Sequence, residues 1–280
     1  MSEKKKRKGK KKKVDKKLFL IVICVVLIIV ALILLFCKLL INQKDFYEME
    51  SRITNIENSK KDDKELYHTI GWVKVQNTHL DLPVLSGIDD NINFPVEKEK
   101  YVWTMSNDDK FHNVINIMGH NIFNLSSTPK KYSDKFQRFE ELMSFVYYDT
   151  AKDSKYIQLT IDGKGYLYKI YSVAFINAVD VDMLPKQDYT KEELKDYINL
   201  LKENTIYNYD VDVNVNDKFI SLITCTRFFG NDQFIDFMVT GRLVRENEKI
   251  NDFNVSKSKK YDEVEKILKG DGDDEEDDSM

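Results

Sequence analysis

Two side chains in this sequence have the type and placement for nucleophilic chemistry. Cys225 closes the apolar run KFISLIT (residues 218–224) and is followed by Thr226, Arg227 and a glycine-bearing loop through Asp232. His120 follows VINIM (residues 114–118) in the tripeptide Gly119-His120-Asn121, where glycine permits a sharp turn and lets the imidazole emerge at a strand end. A residue at the end of a strand is held by rigid backbone yet opens onto a loop, as precise positioning requires. An unassisted thiol titrates near about 8.5 and an imidazole near about 6.5, so little thiolate exists at neutral pH without a base or cation beside it. The pair therefore points to covalent catalysis, with Cys225 as nucleophile and His120 as acid/base.

The other cysteines sharpen the choice of Cys225. Cys24 and Cys37 lie in or at the edge of an apolar run, Leu18 to Phe36, that contains no charged residue. About 20 apolar residues cross a bilayer core, so this run is expected to form one transmembrane helix, assigned to 18–41 with the membrane contact at 18–37. No A-x-A site follows it, which favours a retained anchor over a cleaved signal. Residues 1–17 hold eleven Lys/Arg against Glu3 and Asp15, a local charge of +9 within a chain of net charge −4. Such a flank holds the N-terminus in the cytoplasm, which puts the remainder outside the cell membrane. The only basic cluster adjoins a membrane segment, so nucleic-acid binding is not expected. Cys225 is then the one exported thiol, with no disulfide partner in its own domain.

The elements that must position these residues are mostly strands. After a polar stalk or leading helix at 42–65, short alternating apolar runs recur from residue 66 to 250: GWVKVQNTHLDLPVL, KYIQLTIDG, GYLYKIYSVAFINAVDV and FIDFMVTGRLV among them. Val, Ile, Tyr and Phe at period two, with Asp-Gly between Leu159 and Tyr166, predict strands and a hairpin. The fold class is mainly β, expected as a closed eight-stranded barrel with a few helices, preceded by the transmembrane helix. One short helix is expected over 136–145. A longer one is expected over 190–204, opened by a Thr190/Glu193 capping box and burying Leu194, Tyr197, Ile198 and Leu201. The segment 251–280 is charged and ends in GDGDDEEDDSM, which predicts a disordered tail.

Taken together, GWVKVQNTHLDLPVLSG, NVINIMGHN, the capped helix followed by NTIYNYDVDVNVNDKFISLITC, and the closing VTGRLV resemble the sortase family, most closely its class B. The long helix ahead of the Cys strand is what points to class B. The resemblance implies a membrane-anchored transpeptidase of Gram-positive type that cleaves a C-terminal sorting motif after Thr. Cys225 would form a thioester acyl-enzyme, and an amine of a peptidoglycan precursor such as lipid II would take the acyl group. Secreted proteins bearing the motif are the implied partners, Asn121 and Thr224 the implied substrate contacts, and no metal or organic cofactor is implied.

One position departs from the family pattern. Aligning VTGRLV with the family's last strand sets Asp236 where a catalytic Arg is usual. Arg242 is six residues further along the same strand, about 20 Å at 3.3 Å per residue, which is too far. Arg227, two residues past the nucleophile, is the better candidate for a guanidinium over the thiol. Ile223, where Ser is common, is a smaller departure. The sequence Asp210-Val-Asp212-Val-Asn214 begins like a calcium loop but has Val215 and Ser221 where Gly and Glu are needed, so it reads as a strand with acids facing water. His68, His79 and His112 have no ligand partner at zinc spacing and are read as structural. A hydrolytic thiol peptidase and a catalytically impaired binding module are the competing readings; in the papain-like order the Cys precedes its His, whereas here His120 comes first.

Overall fold

The computed structural model describes residues 24–32, 69–85, 102–104, 112–121, 124–131, 139–161, 163–177, 188–231 and 235–270. The chain divides into two units, 1–51 and 52–280. In the first, residues 24–32 form a helix (α1) with exposed side chains. Among the described residues no helix is long and apolar enough to cross a membrane, and most of the expected span over 18–41, like the stalk over 42–65, lies outside them.

The second unit is mainly β with a few helices, as the alternating pattern predicts. Its strands are β1 (Thr69–Val75), β2 (Asp81–Leu85), β3 (Val102–Thr104), β4 (Val114–Met118), β5 (Tyr156–Ile161), β6 (Lys164–Asn177), β7 (Tyr207–Tyr209), β8 (Phe219–Thr226), β9 (Ile235–Leu243) and β10 (Val255–Lys257). A curled sheet runs β2-β1-β5-β6-β9-β8-β4, and the three-residue β3 spans the gap between its edges. That closing contact is narrow: β3 meets β2 through Val84↔Val102 and Leu85↔Trp103, and meets β4 through Trp103↔Met118 and Thr104↔Ile117. The expected eight-stranded barrel is thus a curled seven-stranded sheet joined across a short seam. The predicted β5–β6 hairpin forms, with Gly163 at φ +67° and Ile161 paired with Lys164.

Both faces of the sheet are buried near β8, which is why its sequence is apolar without alternation. Val73, Ile117, Ile157, Leu159, Ile220, Leu222, Phe237 and Val239 fill the inside of the curl. On the outer face α3 (Lys191–Asn204) lays Leu194, Tyr197, Ile198 and Leu201 over Val114, Phe219, Ile223, Ile176 and Met238. Its capping box forms as the sequence predicts: Thr190 accepts from the Glu193 N–H, and the Glu193 carboxylate accepts from the Thr190 N–H. The shorter predicted helix is a 3-10 helix, Phe139–Val146, with every residue buried, followed by α2 (Tyr148–Asp153).

Two expectations need correction. Residues 251–270 are ordered: β10 pairs with β7, and α4 (Tyr261–Lys269) buries Tyr261 and Val264 before stopping at Gly270 in the left-handed region. The charge count of this segment hid the few apolar residues, Phe253, Val255, Tyr261 and Val264, that join the interior core. Residues 271–280 lie outside those described. The run 210–214 is a loop and not a strand; Asp212 and Asp217 turn back to the Arg245 guanidinium, each at 2.7 Å.

Candidate functional site

Parallel pairing is what brings the two reactive residues together. β4 and β8 run side by side in the same direction, from Val114↔Phe219 to Met118↔Ile223. The Gly119 N–H continues the ladder, donating to the Ile223 carbonyl at 3.2 Å. The strand pairing itself ends at Met118↔Ile223; carried on by two residues, its register leads His120 toward Cys225, and bonds at Gly119 and Asn121 hold the His120 loop to this end of β8. On the other side β9 is antiparallel to β8 and pairs Asp236 directly with Cys225. Residues directly opposite each other point to the same face of a sheet. Cys225 and Asp236 therefore share the outer face of the sheet, beyond the edge of α3, and the loop that carries His120 completes the row from the β4 side. Cys225 is exposed and His120 half-buried.

Short bonds lock this junction. Thr224 Oγ1 donates to the Gly119 carbonyl at 2.7 Å, and Asn121 Nδ2 donates to the Cys225 carbonyl at 3.0 Å. The Cys225 thiol makes a weak contact to the Asn121 carbonyl, with 3.7 Å between sulfur and oxygen. His120 sits between two residues that are each tied to the end of β8. Asn121 and Thr224, the expected substrate contacts, have buried side chains bonded to the protein's own backbone. They brace the row.

A further brace, Asn124, was not singled out from the sequence. Its backbone N–H donates to Asn121 Oδ1 at 3.0 Å, its Nδ2 donates to the Lys130 and Glu140 carbonyls, and its Oδ1 accepts from the Lys130 N–H at 2.7 Å. It thereby fastens the His120 loop to the 3-10 helix; the only sequence signal is the Asn-x-x-Asn spacing, common in polar turns. Gly119 needs its missing side chain, since a Cβ there would lie 2.3 Å from the buried ring of Phe139 and 2.8 Å from its Cβ. Gly119→Ala is expected to cost about 1–3 kcal/mol through overpacking, seen as a melting temperature lower by several degrees. An unchanged melting curve would remove Phe139 as the constraint.

Neither family models nor curated protein sequences match this chain. Solved structures do. A mutant form of Clostridium perfringens sortase B superposes with a TM-score of 0.56 at 23% identity, covering 71% of this chain and 90% of that one. A Staphylococcus aureus sortase B–substrate complex gives 0.54 at 18% identity, covering 72% and 92%. Sortase B from the type II pilus of Streptococcus pneumoniae gives 0.50 at 17% identity, covering 63% and 92%. The fold is sortase B-like.

Within this sortase B-like fold the two departures noted in the sequence acquire surroundings. Ile223 lies on the same face as Cys225 and packs under α3, 1% exposed. Asp236 is half-buried, and burial pushes its carboxyl up to about 6. Among the described residues it has neither a hydrogen-bond partner nor an ion pair, which leaves a carboxyl beside the thiol. Arg227 is exposed just past the end of β8; its backbone N–H donates to the Leu125 carbonyl at 3.2 Å, so it stands against the loop that follows His120. Arg242 is at the far end of β9, paired with Phe219, 2% exposed and bound to Glu248. It takes no part in the row. His112 meets Asp188 at 2.9 Å ahead of β4, and His79 donates its backbone N–H to Glu141 at 2.9 Å; His68 lies outside the described residues.

Proposed function

We propose that this chain is a membrane-anchored, sortase B-type cysteine transpeptidase. It cleaves a C-terminal sorting motif after Thr and transfers the protein to a cell-wall amine such as that of lipid II. The reading rests above all on the parallel β4–β8 register, which sets an exposed thiol beside an imidazole-bearing loop at one rim. Cys225 Sγ attacks the Thr carbonyl carbon; the C–N bond breaks as His120 gives a proton to the leaving amine, and a thioester remains. The acceptor amine then attacks the same carbon and the C–S bond breaks. Arg227 supplies the guanidinium that steadies the oxyanion. The basic segment 1–17 and the apolar run over 18–41 hold the domain at the outer face of the membrane, where secreted substrates and wall precursors meet it.

Asp236 favours a second reading, a sortase-like module that binds the motif without turnover, because a carboxylate on the row opposes the negative charge of thiolate and oxyanion. One experiment separates the two. The full-length chain in detergent is incubated with a library of peptides that carry Thr at the scissile position, and covalent adducts are sought by mass spectrometry. A thioester on the wild type and none on Cys225→Ala supports the transpeptidase. Saturable peptide binding with no adduct supports the module instead.

A further inference from the structure

The row contains a carboxyl that the transpeptidase reaction as described above does not use. Asp236 faces Cys225 across one strand spacing, points to the same outer face, and has no cation beside it among the described residues. On its other side β9 pairs it with Ile176, an apolar residue that offers it nothing. A partly buried carboxylate in such a place calls for either a proton or a cation supplied from outside. With apolar Ile176 on one flank and the exposed Cys225 on the other, neither strand partner of Asp236 supplies a cation.

We propose that Asp236 binds the ammonium group of the acceptor amine and so selects cationic nucleophiles for the acyl-enzyme. The proposal rests on the transpeptidase reading of the same site. An ammonium bridging to Asp236 lies within one strand spacing of the sulfur, and hence close to the thioester carbon that it must attack. The acceptor arrives as R–NH3+ and must lose two protons to become an amide. One passes to His120, restoring the imidazolium that pairs with the departing thiolate; the other passes to the Asp236 carboxylate and on to water. The new C–N bond replaces the C–S bond, and Cys225 returns as thiolate.

The argument favours the acceptor over a Lys in the sorting peptide. The acceptor nitrogen must come to the thioester carbon, whereas a peptide side chain can reach out in many directions from its own backbone. The test is competition for a preformed thioester on the full-length chain in detergent. Nα-acetyl-lysine methylamide supplies a cationic amine, since a lysine ammonium titrates near about 10.4, and hydroxylamine supplies a neutral nucleophile. Asp236→Asn is expected to lower the ratio of lysine-amine to hydroxylamine reactivity about tenfold, the scale of one charge contact at a partly exposed site. Asp236→Glu should restore most of that ratio. A purely structural role would lower both reactivities together and leave the ratio unchanged, which would overturn the proposal. A charge effect seen instead in acylation, as slower reaction of Lys-bearing peptides with Asp236→Asn and an unaltered acceptor ratio, would assign the carboxyl to the peptide and overturn it as well. Failure of the wild type to form any thioester would remove the transpeptidase reading itself, and this inference with it; a normal thioester with an unaltered ratio removes the inference alone.

Discussion

His120→Ala is expected to lower thioester formation at Cys225 by about 10²–10⁴ while the domain stays folded. In that variant the sulfur keeps its exposure and its ties to β4, because Thr224 Oγ1 still bonds Gly119 and Asn121 Nδ2 still bonds the Cys225 carbonyl. What is lost is the proton carrier. Without the imidazole the thiol loses its matched base, and the leaving amine departs without a proton. Asp236 is a poor substitute, since a carboxyl raised to about 6 is still a weak base for a thiol near about 8.5 and is mostly ionised at neutral pH, with little proton to give the amine. The measurement is a single-turnover time course of adduct formation, followed by mass spectrometry beside a circular dichroism melt. An adduct forming at the wild-type rate would show that the row does not work as a pair, and would return Cys225 to the status of an exposed thiol.

The second large effect lies at the other end of β9 and concerns stability. Arg242 is 2% exposed, with a forked contact to Glu248: Nη2 donates to Oε1 at 2.8 Å and Nη1 donates to Oε2. Lys169, itself 7% exposed at the side chain, donates to the same carboxylate at 2.7 Å, and Arg242 Nε donates to the Asp212 carbonyl at 3.1 Å. Glu248→Gln keeps the size and part of the hydrogen bonding but removes the bonded carboxylate from beside two buried cations. Because the Glu248 side chain is itself 23% exposed, the loss is expected below that of a fully buried pair, at about 1–3 kcal/mol, which for a domain of this size lowers the melting temperature by about 5 °C. The double variant Arg242→Met with Glu248→Met should recover much of that loss, because a well-packed apolar pair often matches a buried ion pair.

The same network fixes an acid dependence. The Arg242 guanidinium, with help from Lys169, holds the Glu248 carboxyl far below its usual value of 4.5. A carboxyl depressed on folding stabilises the native state fully above its unfolded value and loses that contribution as pH falls below it. Wild-type stability should therefore fall between about pH 5 and pH 3 by more than that of Glu248→Gln, which has no such proton to gain. Parallel slopes for the two proteins over that interval would mean that the pair contributes nothing through charge.

Much of the fold was legible because its signals are local. The α3 helix was readable to the residue: its capping box and its four buried side chains lie within one stretch of chain, and both depend on geometry inside a single helix. The β5–β6 hairpin was equally plain, since Asp-Gly carries its own turn chemistry. The segment 251–270 was misread for the opposite reason. Its order depends on β7 and on the interior core, and neither can be seen in its own composition.

The site divides along the same line. The candidate residues, a thiol at the end of one apolar run and a histidine at the end of another, came from the amino-acid sequence alone, because side-chain chemistry and strand termini are properties of short stretches. Their arrangement did not. Gly119 and Thr224 are 105 residues apart, and only the parallel pairing of β4 with β8 brings the His120 loop to Cys225. Only the antiparallel pairing with β9 puts a carboxyl on the third place in the row. Register between distant strands is set by which faces must be buried against α3 and inside the curl, a constraint that belongs to the packed molecule and to no single segment of it.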